Sequence, residues 1–94
     1  MYEEEAELIR RMMKRGARII YSNHAKRERM PERHITDNDV CAVLAHCNIT
    51  ECRQTREGNV FAAEGLDLDD RLLRIPVVVH EQRNVIIVVT AIEL

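Results

Sequence analysis

The sequence contains no tryptophan, and Phe61, Tyr2 and Tyr21 are its only aromatic residues among 94. Aliphatic side chains and methionine must therefore fill any core, and an apolar content of 46% suffices for that. Cysteine is scarce and odd in number, with Cys41, Cys47 and Cys52 forming no C-x-x-C pair, which excludes a disulfide framework and a zinc knuckle. Reduced thiols are expected. The longest aliphatic runs, Val77 to Val79 and Val85 to Val89, cannot span a bilayer, and the opening Met1-Tyr2-Glu3-Glu4-Glu5 is unlike a signal peptide. The expected location is cytoplasmic, with no membrane partner. A Gly-rich phosphate loop, a G-x-S-x-G elbow and a dinucleotide fingerprint are all missing, which removes those enzyme classes. His46, Cys47 and Cys52 follow Cys41 by five, six and eleven positions, which fits no usual ligand spacing. No metal and no cofactor are expected.

Ninety-four residues suit one domain with one core, and no repeat or linker divides them. The net charge of −2 hides a polarised chain. Nine Lys or Arg stand against two acids from Arg10 to Ile35, a balance of +7, whereas Thr36 to Leu94 carries five against ten, a balance of −5. Such a chain can offer a polyanion one surface while staying acidic overall; solvated helix faces would use the same residues.

From Glu3 to Arg15, Ala6, Ile9 and Met13 form a helical stripe with Leu8 and Met12 beside it, and Arg10, Arg11, Lys14 and Arg15 fall mostly off it. Acids in the first turn, bases in the last and Gly16 beyond them predict an amphipathic helix. Arg18 to Tyr21 reads as a short strand. Ser22 is placed to cap a helix running through His24 to about Met30, which Pro31 should end or kink. Thr36-Asp37-Asn38-Asp39 resembles a capping box, and Val40, Val43, Leu44 and Cys47 continue it as a helix. Four strands are expected after it: Ile49 to Arg56, Val60 to Leu66, Leu72 to Val79 and Val85 to Ile92, joined by short links as an antiparallel meander. The last should be central because both its faces are apolar, and the polar Asn48 to Glu57 should lie at an edge. Pro76 should mark an edge or a bulge. The fold class is α+β, with N-terminal helices packed on one face of a mainly antiparallel sheet of four to five strands.

The densest chemistry lies between Ser22 and His34, with two imidazoles and three guanidiniums. Histidine exchanges protons near neutral pH, and arginine clamps a phosphate with paired donors, so the segment holds parts for phosphate chemistry. On α-helical spacing His24, Arg27 and Glu28 share a face, so Glu28 is equally suited to tether His24 or Arg27. His80 shares a strand face with Val78 and Arg74, and that face forms an open groove if it points away from the helices. Arg53 and Arg56 alternate to opposite faces, so only one can join them.

His24-Ala25, Arg29-Met30-x-x-Arg33-x-Ile35-Thr36 and Val40 together resemble the family known as domain of unknown function 4258. The likeness continues through Gly65 and Arg71 to Val89-Thr90. The family pattern reads H-A-x-x-R-M-x-x-R-x-I, and this chain carries one more residue between His24 and Arg29. The family is similar to a branch of the RelE/ParE toxin-like superfamily, which implies N-terminal helices against a curved antiparallel sheet. The best-known members of that superfamily cut messenger RNA, others poison gyrase, and the fold alone fixes no activity.

Two functions are carried forward. The first is a metal-independent endoribonuclease, with His24 as base or acid, Arg29 and Arg33 as phosphate clamps and His80 as a second acid or base. Lys26, Arg27 and Arg74 would hold the nucleic acid, the ribosome is a possible site of action, and a toxin of this kind implies an antitoxin protein. The second is a non-catalytic protein- or nucleic-acid-binding module of the same fold, which suits the acidic net charge better. Association of the basic and acidic halves of separate copies into a homo-oligomer is a further expectation.

Overall fold

Three glutamates in the first turn and Arg11 and Lys14 in the last complement the dipole of helix α1, Glu3–Lys14. Gly16 takes φ 73° just beyond its end, a conformation open to glycine at little cost. The buried seam runs Ala6, Ile9, Met12, one position off the stripe centred on Met13, which stays half-buried. A computed structural model describes residues 1–56 and 58–94. Glu57, the last residue of the expected polar edge, lies outside them.

After α1 the chain forms strand β1, Arg18–Tyr21, a π-helical segment His24–Arg29 and a single α-turn, α2, Met30–Glu32. Pro31, expected to end or kink this helix, does not end it, and the change from π- to α-helical winding falls just before it, at Met30. The proline sits in the first turn of α2, where a missing amide proton costs nothing, and the helix continues past it. The Ser22 hydroxyl accepts from the Ala25 amide at 3.1 Å, as expected of a cap, and donates to the Val89 carbonyl at 2.7 Å. Helix α3, Asp37–His46, begins with the anticipated capping box: Thr36 Oγ1 accepts from the Asp39 amide, and the Asp39 carboxylate accepts from the Thr36 amide.

The strands that follow are β2 (Asn48–Thr55), β3 (Gly58–Leu66), β4 (Leu72–His80), β5 (Val85–Val88) and β6 (Ile92–Glu93). They join β1 in one sheet of order β1-β5-β4-β3-β2, with β6 also on β4. β2 through β5 form the expected antiparallel meander, and β1 pairs parallel with β5. β2 is an edge and β5 is interior, while Gly58 and Asn59, read as a link, are the first residues of β3.

The expected single strand Val85 to Ile92 is broken, and Pro76 shows why. Its carbonyl accepts from the Val89 amide, so its nitrogen faces the same neighbour, opposite the gap between Val88 and Ile92. The proline has no proton to give there, and the ladder resumes only at Arg74 with Ile92.

α1 and α3 cover one face of this sheet. Ile9, Val40, Val43 and Leu44 from the helices meet Leu73, Ile75, Val77, Ile86 and Val88 from the strands, all fully buried. Neighbouring strand residues alternate to the other face, where no helix of the described residues lies. Among the described residues no helix is long and apolar enough to cross a membrane.

Candidate functional site

A π-helix bonds the amide of residue i+5 to the carbonyl of residue i, and here the Met30 amide reaches the Ala25 carbonyl. Side chains five apart are thereby brought together, whereas in an α-helix Arg29 would lie about 140° around the axis from His24. The Arg29 Nε donates to His24 Nε2 at 3.1 Å, and His24 Nδ1 lies 2.8 Å from Glu28. An accepting Nε2 places the imidazole proton on Nδ1, which then donates to Glu28. Arg29 thus takes the place that α-helical spacing assigns to Arg27; Arg27 and Lys26 are exposed. Both ring nitrogens of His24 are engaged, so it can act as a base only if Arg29 swings away.

Arg33 faces inward from the end of α2 and donates to the Ala91 carbonyl. Its own carbonyl, and that of His34, accept from Arg71 at 2.9 and 3.0 Å. Arg71 is the hub of this end of the sheet. Its Nε donates to Asp67 at 2.7 Å, and its terminal nitrogens lie 3.5 Å from Asp39 and 3.7 Å from Glu93. Asp67 also accepts from the amides of Asp69 and Arg71, both at 2.8 Å. Burial pushes the Asp67 carboxyl up, but these amides and the guanidinium outweigh it and hold the group below the usual carboxylate range. Oxygens of Asp39, Asp67 and Asp69 lie within 4.8 Å of one another, and Arg71 supplies positive charge among them.

The uncovered face of the sheet holds His80, Arg74 and Arg53, which resolves the choice between Arg53 and Arg56. The strand registers align Arg53, Val60, Val78, Ile87 and Ile20 in one row across five strands. Arg53, Thr55, Val60, Val78, His80 and Ile87 line a groove of about 560 Å³. Arg74 is already paired: its Nε donates to Glu64 at 2.7 Å, and Glu64 also accepts from Thr50. Burial raises the Glu64 carboxyl, yet those two bonds and the Arg74 charge bring it below its ordinary value. Arg53 and His80 have no ion pair among the described residues.

Residues 21–93 match the family described as Domain of unknown function (DUF4258). The chain belongs to that family. No curated protein and no solved structure matches it. The DUF4258 match spans the π-helical segment, the Arg71 hub and the strands of the open face, and leaves out α1. Within it, the wider π-turn absorbs the extra residue between His24 and Arg29 and keeps the two side chains in contact.

The structure does not gather the four catalytic candidates. Arg18 and His80 both pair with Val85, whereas Tyr21 pairs with Val88, so His24, three residues beyond Tyr21, leaves the far end of the strand from His80. That separation is about 10 Å of strand before the π-helical segment begins. Arg29 stays with His24, Arg33 belongs to the hub, and His80 joins Arg53 and Arg74 on the open face. Asp67 is the member of this region that the sequence reading passed over, and Arg71 entered it only through the family likeness, without a role. Their signal was an Asp opening the short Leu68-Asp69-Asp70 turn, with an Arg closing it, which suits an Asx-type turn. Ionisation of Cys47 and Tyr21 is also suppressed: burial pushes Cys47 up to about 11, and burial and Asp37 raise Tyr21, whose hydroxyl donates to Asp37.

Proposed function

We propose that the chain is a RelE-like binding module that docks a partner protein on its open sheet face. The observation that carries this reading is the row Val60, Val78, Ile87 and Ile20, aliphatic across four strands on a face that no helix covers among the described residues, with Val60 and Val78 buried at its middle, Ile87 half-buried and Ile20 exposed. An antiparallel sheet with one solvated face ordinarily turns polar residues outward, and an aliphatic groove with a polar rim on that face suits a contact surface. Arg53 and His80 border the band without an ion pair among the described residues, so the partner segment it fits is aliphatic with flanking carboxylates. Single-stranded RNA fits less well, because such surfaces stack successive bases on several rings, and among the described residues the groove offers only the His80 imidazole. Helices on one face of a mainly antiparallel sheet support membership of the RelE/ParE-like superfamily, and within it the partner would be an antitoxin. Free thiols suit a reducing, cytoplasmic setting.

Endoribonuclease activity keeps a narrower footing, in which His80 acts as acid or base beside Arg53 in the groove. His24 is not part of that groove.

Peptides selected from a random library on the parent protein, with counter-selection on Arg53→Glu and Val78→Glu, test the docking surface. Aliphatic sequences with Asp or Glu should be enriched, and binders indifferent to both substitutions would remove the surface from function. In parallel, RNA is incubated with the parent, His24→Ala and His80→Ala, with and without ribosomes. No cleavage is expected; cleavage lost in His80→Ala would move the groove to catalysis, and cleavage lost in His24→Ala would restore the π-helical segment as the site.

A further inference from the structure

On the other side of the molecule, Glu7, Arg10, Arg11 and Lys14 follow the i, i+3, i+4, i+7 spacing of one helical face on α1. With Ala45 and His46 of α3 they line a groove of about 350 Å³ between the two helices. Arg10 is fixed in it, because its guanidinium donates to the Cys47 carbonyl at 2.7 Å, just past the end of α3. One donor is spent there, and a guanidinium has five.

Elsewhere in the fold Arg29, Arg33, Arg71 and Arg74 hold side-chain or backbone acceptors, while Arg53 has no ion pair among the described residues. Arg11, Lys14 and the adjoining Arg15 have no ion pair among the described residues, although acids outnumber Lys and Arg by 16 to 14 in the chain. Complementing the helix dipole accounts for a base in the last turn. It does not account for an arginine held in the groove with two more cations beside it.

We infer that this groove binds the phosphate backbone of double-stranded nucleic acid. The ligand is polyanionic because the groove offers three permanent cations against Glu7 alone. It is a duplex because the His46 imidazole is the one ring among the described residues that line the groove, too little to stack successive unpaired bases, whereas a duplex presents phosphates without requiring any base to be read. Recognition is independent of sequence. The site is separate from the open sheet face and from the DUF4258 match, since its cations come from α1.

Fluorescence anisotropy with a short labelled DNA duplex, its RNA counterpart and a single strand of equal length tests this. Three phosphate contacts predict a slope of about −2.7 in log K against log salt, a loss of roughly 40-fold between 50 and 200 mM. Arg11→Glu with Lys14→Glu should abolish binding while cooperative melting is kept, because both side chains are exposed and only their complement to the α1 dipole is lost. Lys14→Gln alone should reduce the slope by about one, and Arg11→Lys with Lys14→Arg should retain affinity. Absence of duplex binding at low salt, or equal binding by the charge-reversed variant, overturns the inference. So does stronger adsorption to phosphatidylserine vesicles than to duplex, or a loss of duplex binding that follows Arg53→Glu instead. Peptide capture on the sheet face is read with Arg53 and Val78 variants, so either result stands without the other.

Discussion

Arg71 and Arg53 both belong to the strand-rich half of the chain, and the fold treats them in opposite ways. Arg71 is enclosed by Asp67, Asp39, Glu93 and two backbone carbonyls, and with the Ser22-capped and Thr36-capped helix starts it closes one end of the sheet. Arg53 borders an aliphatic row and has no ion pair among the described residues. The same division separates the two faces of the sheet, one sealed by helices and one left bare. A charged residue whose donors are all answered inside the fold is spent on architecture, and function is better sought where the fold leaves donors and apolar area unanswered.

The largest test of this contrast sets two neighbours on β5 against each other. Val88 is fully buried on the helix side and Ile87 half-buried on the open side. Val88→Asp should abolish cooperative melting, since it places an unpaired charge in the core, whereas Ile87→Asp should melt cooperatively. Equal behaviour of the two by circular dichroism would erase the distinction between the faces.

A smaller effect is expected at the closed end. Asp67→Ala leaves two amides and the Arg71 guanidinium without their acceptor and should lower the melting temperature by more than about 10 °C, while Arg53→Ala should move it by no more than about 3 °C. The pH dependence has a definite sign. The Asp67 carboxyl is held below its unfolded value, so its contribution is complete above the unfolded pKa of about 3.9 and is lost as pH falls through the folded value. Melting temperatures of the parent and Asp67→Asn should therefore converge on acidification below about pH 4. A constant gap between them would separate Asp67 from acid stability.

The smallest effect belongs to the segment that looked richest in chemistry. His24→Ala removes contacts to Glu28 and Arg29 on an exposed surface and should change the melting temperature by less than about 3 °C. A large loss would mean that the π-helical segment is supported by its side chains rather than by the burial of Ala25 beneath it.

Much of the fold was legible because it rests on local rules. The Thr36 capping box, the glycine after α1 and the alternation along β3 and β4 are decided by residues a few positions apart. The departures arise where distant contacts decide. Neither the α-helical nor the two-residue period signals a π-turn between His24 and Arg29, and the division of the last strand depends on which β4 residue, Pro76, lies opposite Val89. Of the site candidates, Arg74 and His80 were correctly paired on one face by alternation alone. Arg33 and Arg71 could not be told from binding residues by type, because their acceptors include the carbonyls of Ala91, Arg33 and His34, which carry no mark in a sequence.

The parallel pairing of β1 with β5 has a kinetic consequence. Arg18 meets Val85, a separation of 85 − 18 = 67 positions, whereas each hairpin of the meander closes over a short turn. Loop-closure entropy favours the hairpins first, so β2 to β5 should assemble before β1 finds its place beside β5. In an unfolding experiment under native conditions, the amides of β1 should exchange with solvent through openings that leave the β3–β4 pairing intact. The strand that enters the sheet first in the chain is thus the last to join it in time.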